Sequence, residues 1–392
     1  MSAAPPAAAT LVTLGLAQTL AWASTFYLPA VLAEAMAAEL GLATSTVFAA
    51  FSVALVVAAA VGPATGRWID RHGGHRILGA TSPAFALGLA LLSQVQGPWT
   101  LFGAWAWLGL AMGAGLYEAA FASLVRLYGQ GARRAITGIT LIAGFASTVG
   151  WPLSALMQAH GGWRGACLGW ACLHLVLGWP LNSRLPRVQP SATQADAAPL
   201  APADTAQATP AVRPHPAWVT ASLAGVFAVA AFTGAAMGTH LPRLLQLAGA
   251  SLAAAVAAGA LIGPAQVGAR LAEITLLRHQ HPLWTARAAV LTHPLGVALL
   301  LAGGAPLAVA FTLLHGAGNG VLTIVKGTLP LSLFGAEGYG QRQGWLLMPA
   351  RVAQALAPWL FGLALDRWGV QALTLTAAGG LASLLALGLL RR

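Results

Sequence analysis

Apolar runs of about 20 residues recur along the whole of this chain, and each is long enough to cross the hydrocarbon of a bilayer as a helix. Twelve can be marked, at 10–33, 43–66, 76–95, 98–126, 134–158 and 163–182, then at 216–240, 251–274, 283–303, 305–333, 342–364 and 370–390. Together they use most of the 392 residues, of which 58% are hydrophobic and only 7% charged. The expected fold class is an all-α membrane protein with twelve transmembrane helices, because helices alone satisfy every backbone group within such segments. The lipid bilayer is its first expected partner.

A net charge of +11 would suit a nucleic-acid binder, but the arginines gather in every second connection. Arg67, Arg71, Arg76, Arg126, Arg133, Arg134, Arg184, Arg278, Arg287 and Arg342 fall on one side, and only Arg164, Arg243 and Arg367 on the other. That is the positive-inside pattern, and it predicts both termini in the cytoplasm and no nucleic-acid partner. Residues 1–10 carry no basic group, so the first run reads as a retained helix and not as a signal peptide. Cys167 and Cys172 sit on different faces of one helix, which predicts neither a disulfide nor a metal site.

Residues 184–215 are rich in Pro, Ala, Thr and Asp and have no apolar period, so they read as a disordered cytoplasmic linker between domains 1–183 and 216–392. The flanking halves echo each other at an offset of roughly 200 residues. Tyr27-Leu28-Pro29 pairs with His240-Leu241-Pro242, and Gly62-Pro63-Ala64 with Gly263-Pro264-Ala265. Arg67 and Asp70 pair with Arg270 and Glu273 at the same spacing. The pairing predicts two pseudo-symmetric six-helix bundles.

Between the second and third runs lies G-R-W-I-D-R-H-G-G-H-R, from Gly66 to Arg76. So many charges would be costly in hydrocarbon, so the stretch reads as a loop at the membrane surface. Gly73 and Gly74 allow a turn with positive φ, and Asp70 can accept charge-assisted hydrogen bonds. The spacing of Gly66, Asp70, Arg71 and Gly73 resembles the signature loop of the major facilitator superfamily, with Gly74 and His75 where that family often has basic residues and Arg76 one place late. The resemblance covers the whole chain. It implies a bacterial secondary transporter in the inner membrane that works by alternating access between two bundles. It also implies that Gly66, Asp70, Arg71, Gly73 and Arg76 latch one conformation.

Polar groups inside the spans each need a reason, because an ionisable side chain there costs about 3 kcal/mol or more. Glu118, in the run G-L-Y-E-A-A-F, is the one acid expected deep in a span; it is either a proton carrier or a structural carboxylate paired to an arginine. His315, Asn319, Thr323 and Lys326 follow at helical spacing on one face, with Lys326 the only lysine of the chain. That face suits a cavity lining, with His315 as a second proton-coupling candidate. Gln266 and Arg270 lie one turn apart. They resemble the pattern of monocarboxylate transporters, except that glutamine stands in the acid's place; the other reading of Arg270 is a latch residue equivalent to Arg67. Arg351 either pairs with Glu118 or binds an anionic solute. Gln18 and Thr25, with Trp22, form a further stripe, and Tyr117 neighbours Glu118. Gln18, Thr25, Tyr117, Arg270, Asn319, Thr323, Lys326 and Arg351 are thus the expected solute-binding set. No phosphate-binding Gly-rich loop, H-E-x-x-H, G-x-S-x-G or Cys/His cluster is present in the sequence, so neither a cofactor, a metal nor an enzymatic reaction is expected. The expected function is proton-coupled transport of a small organic solute by a monomer, with export as the direction. Proton-coupled uptake of an organic anion is the alternative.

Overall fold

The computed structural model describes residues 8–128, 132–186, 217–276, 280–334 and 339–390. Among them, ten continuous helical stretches are long and apolar enough to cross a membrane. Two of the ten run 46 and 44 residues and reverse direction, at Gly162 (φ 64°) and at Gly369 (φ 54°). The first reversal brings Trp170 Nε1 within 3.0 Å of Ser154 Oγ. Counting both arms of each hairpin, the crossings are α1 (Ala8–Leu40), α2 (Thr44–His72), α3 (His75–Ser93), α4 (Pro98–Tyr128), α5 (132–161) and α6 (163–183). The second half supplies α7 (Ala217–Leu247), α8 (252–275), α9 (Pro282–Gly303), α10 (Ala308–Phe334), α11 (Tyr339–Trp368) and α12 (Leu373–Leu389). The linker expected at 184–215 lies almost wholly outside the described residues, beyond Pro186.

The stretch Gly66–Arg76 differs from the loop expected of it. α2 stays helical through His72, and α3 starts at His75, so the connection is Gly73-Gly74 alone. Loss of hydrophobicity marks where hydrocarbon ends, whereas a helix continues into water as long as its own hydrogen bonds hold. Gly73 takes the positive φ (81°), its N–H bonded to Ile69 O at 2.8 Å. Gly74 is needed for a different reason: a Cβ there would overlap the Ser123 side chain of α4. The Asp70 side chain lies outside the described residues.

Glycines set the helix spacing, because small residues let backbones approach where lipid gives no hydrophobic drive to associate. A Cβ on Gly113 of α4 would lie 2.7 Å from the Ala58 carbonyl of α2, and Gly109 meets Ala54 one turn away. In the second half Gly316 and Gly320 of α10 meet Ile262 and Gln266 of α8 in the same manner, 3.0 and 2.6 Å from their carbonyl oxygens. Both contacts repeat at i, i+4, and the two helix pairs are equivalent under the sequence repeat.

The apolar core shows how the halves meet. At the end away from the termini, one continuous core draws Phe26, Phe48, Phe51 and Trp151 from the first half and Met237, Leu241, Leu244 and Phe361 from the second. Toward the termini it divides into a cluster around Leu14, Ile69, Leu78 and Leu124, and another around Phe227, Leu283, Val325 and Leu346. The far end is thus sealed. There Phe48 packs on His240 with ring centroids 3.8 Å apart, and the Trp359 N–H reaches Ser52 Oγ at 3.3 Å. Above them Arg243 of α7, 17% exposed, bridges Glu34 of α1 at 2.9 Å and Asp366 of α11 at 2.8 Å.

Removing that bridge should loosen the seal. In a protein with Cys167 and Cys172 replaced by serine, Arg243→Gln should speed labelling of Ser52→Cys, from the side away from the termini, by about two- to fivefold. The factor follows from the ~0–1 kcal/mol that partly exposed ion pairs contribute. An unchanged labelling rate would mean that the aromatic contacts alone hold this end shut.

Candidate functional site

Beneath the seal lies a cavity of about 270 Å³ between the halves. Its walls come from α1 (Trp22, Phe26), α2 (Leu55, Ala58, Ala59, Gly62, Pro63), α4 (Met112, Gly113, Leu116, Glu118) and α11 (Arg351, Gln354, Ala355). On α2 and on α11 the lining begins about one turn to the termini side of the Ser52–Trp359 contact.

Glu118 reaches the cavity because α4 breaks. Leu116 leaves helical geometry (φ −85°, ψ −164°), and a new helix starts at Tyr117 with Glu118 in its first turn. A carboxylate there faces the positive end of the helix dipole. The break frees the Gly115 carbonyl, and Gln18 of α1 fills it, its Nε2 donating at 2.7 Å. Gln18 is buried and is absent from the cavity wall, so the structure spends it on supporting the break. Thr25 is likewise buried and donates to Ala21 O at 2.6 Å. Tyr117 stacks on Phe121 and packs against Trp22, whose indole Nε1 is buried without a hydrogen-bond partner.

Arg351 and Glu118 share this cavity from opposite halves, and both are exposed to it. They form no ion pair: among the described residues the salt bridges within 4.0 Å are Arg164–Glu39, Arg243–Glu34 and Arg243–Asp366. Arg270 lies elsewhere, half-buried on α8. Its guanidinium makes long contacts of 3.4–3.5 Å to Gly320 O, Thr140 O, Gln266 Oε1 and Thr323 Oγ1, all of them neutral acceptors.

The polar face of α10 divides between two environments. Thr323 faces Arg270, and Lys326 is half-buried three residues on. His315 and Asn319 turn instead into the second bundle, where they line a water-sized void of about 30 Å³ with His293 and Thr376. His293 Nδ1 lies 3.0 Å from His315 Nδ1, and His293 Nε2 lies 2.9 Å from Thr376 Oγ1. Thr376 donates its own proton to Leu373 O at 2.9 Å, so it accepts from His293 Nε2–H, and His315 Nδ1–H donates to His293 Nδ1. The sequence analysis missed His293; its signal was an intramembrane histidine beside Pro294, on a helix with no other polar pattern.

A sequence profile of the Major Facilitator Superfamily matches residues 14–308, about three quarters of the chain. The chain belongs to the Major Facilitator Superfamily. As a facilitator it is a multi-pass membrane protein and a secondary transporter, not an enzyme. Among curated proteins none matches it significantly in sequence. Solved structures share its fold. The nucleoside transporter NupG superposes with a TM-score of 0.70 at 15% identity, over 97% of this chain and 98% of that one. A mutant form of NupG gives 0.76 at 14% identity, over 97% and 98%. A bacterial homolog of the human lysosomal transporter Spinster, in an inward-facing and occupied conformation, gives 0.69 at 14% identity, over 96% and 93%. Identities this low speak for the facilitator fold alone.

The role of Gln18 is open to direct measurement. Gln18→Leu should lower the stability of the purified facilitator by about 1–3 kcal/mol, the usual cost of a buried carbonyl left without its donor. Solute affinity of the folded fraction should not change. Lost affinity at unchanged melting temperature would return Gln18 to the binding residues.

Proposed function

We propose that this facilitator moves a small organic solute by alternating access and that protons drive it, with Glu118 as the coupling group. The reading is carried by one observation: Glu118 opens into a cavity bounded by both halves, just beside the sealed layer. A carboxylate there can be neutralised by a proton or by a cationic group of the solute, but not by both at once. That exclusion is what an exchanger needs, since each ligand then rides in the half-cycle the other leaves empty.

Export is the direction proposed, on the resemblance of the chain to bacterial exporters. The arginine asymmetry supports an inner-membrane protein with both termini and the linker 184–215 in the cytoplasm, joining bundles 1–183 and 216–392. The sealed end is then periplasmic. Gly66, Asp70, Arg71, Gly73 and Arg76 are proposed to hold one conformation where the ends of α2 and α3 meet α4, and a monomer is the working unit. In the solute path we keep Arg351, Tyr117, Thr323 and Arg270; His315, with its His293 partner, is the second candidate for proton binding. Uptake of an organic anion with protons is a second reading, favoured by Arg270, whose contacts include no carboxylate.

Reconstituted protein tests the coupling. An imposed pH gradient should drive solute flux in wild-type vesicles and fail to drive it in Glu118→Gln, a permanent mimic of the neutral acid. Exchange of labelled for unlabelled solute should survive in that variant, because exchange moves no net proton. Gradient-driven flux at the wild-type rate in Glu118→Gln would remove the role of Glu118. The sign of the gradient that drives loading separates export from uptake.

A further inference from the structure

We infer that the solute is a small zwitterion of amino-acid type, with its carboxylate on Arg351, its ammonium on Glu118 and an apolar side chain against Trp22, Phe26, Leu55 and Met112. The inference rests on the transport reading above and narrows its solute.

The argument starts from two opposite charges that share one cavity without meeting. Glu118 comes from the first half and Arg351 from the second, and both side chains are long and flexible. Opposite charges in a cavity shielded from bulk water attract more strongly than they would in solution. Rotation into a salt bridge would satisfy both, yet neither forms one within 4.0 Å. The wall between them holds further groups suited to the same ligand. The Trp22 indole N–H is buried and unpartnered, and the Gln354 amide lies one turn from Arg351, so the cavity walls hold two further donors for a carboxylate. On α2 Pro63 has no N–H to give the Ala59 carbonyl, and both residues line the cavity. A backbone carbonyl without its helical donor is a second acceptor for an ammonium.

Alternating access makes the charge balance strict. When the halves close over a solute, any charge left in the cavity without its opposite is buried unpaired, and that is strongly destabilising. A monocarboxylic acid would satisfy Arg351 and require a proton on Glu118; an amine would satisfy Glu118 and leave Arg351. A zwitterion satisfies both, and in doing so bridges the two halves. A cavity of about 270 Å³ sits at the lower edge of the usual range for small-molecule sites, which suits an amino acid and excludes much larger solutes.

The test is a thermal-stability and binding panel on the purified full-length protein. The probes are L-leucine, L-methionine and L-phenylalanine, each beside the acid and the amine that keep only one of its two charged groups, at millimolar concentration. At least one amino acid should raise the melting temperature where its matching acid and amine do not. Glu118→Gln and Arg351→Gln should each weaken that binding by about tenfold or more, while Arg351→Lys, which keeps the charge, should restore part of it. Glu118→Gln should also bind the matching acid better than wild type does, since the uncompensated carboxylate is gone. The wild-type panel decides the matter even where a variant does not fold. Stabilisation by the acid or the amine equal to that by the amino acid, or by none of the amino acids, overturns the inference. If an amino acid binds in this pattern but no pH gradient moves it, the zwitterion site stands and the coupling reading falls. If protons drive a solute of single charge through Glu118, the coupling reading stands and the zwitterion falls.

Discussion

Inside hydrocarbon a backbone carbonyl that loses its helical donor finds no water to replace it. The departures from regular helix in this protein are arranged around that constraint. Where α4 breaks, the Gly115 carbonyl is met by Gln18 of α1. Where α1 breaks between Ser24 and Pro29, the Tyr27 carbonyl accepts from Trp151 Nε1 of α5 at 3.2 Å. Pro264 of α8 has no N–H for the Ala260 carbonyl, and Thr148 Oγ1, from the other half of the chain, supplies the missing donor at 2.7 Å. Each break is therefore held by a side chain of a different helix. The break in α4 turns Leu116 and Glu118 into the cavity.

The same economy of polar groups explains why the halves can part at one end and not, in this conformation, at the other. The shared core at the sealed end is apolar and closely packed, with Phe48, His240 and Phe361 interleaved and the Glu34–Arg243–Asp366 bridge at its rim. Near the termini each half keeps a core of its own. The glycine contacts of α2 with α4, and of α8 with α10, bind helices inside each half, while Gly263 of α8 meets the Gly144 carbonyl of α5 across the seam.

Much of the site was legible in the sequence as a list of residues, and much less of it as an arrangement. Glu118 and Arg351 stood out because charge inside a span is expensive and therefore rare. The close packing of Gly109 and Gly113 on Ala54 and Ala58, and of Gly316 and Gly320 on Ile262 and Gln266, shows only in the structure. The α10 stripe of His315, Asn319, Thr323 and Lys326 shares one broad face, yet its members meet different surroundings. A helix in a bundle has several neighbours, and side chains one turn apart can face different ones. His315 finds His293, and Thr323 finds Arg270. Gln18 looked like a cavity residue from its spacing, and in the structure its amide donates to the Gly115 carbonyl of α4.

The sequence by itself determined the all-helical membrane fold, the uneven placing of arginine among the connections and the identity of the rare intramembrane charges. All of these follow from the price of polarity in hydrocarbon, which acts residue by residue along the chain. The tertiary structure decided which charges share a cavity, which end is sealed and where helices break. These depend on the rotation of each helix about its own axis and on contacts between residues far apart in the chain, such as Gln18 with Gly115 across 97 residues and Thr148 with Ala260 across 112. Helical spacing fixes which side chains lie on one face, and only packing against the neighbouring helices fixes what that face looks toward.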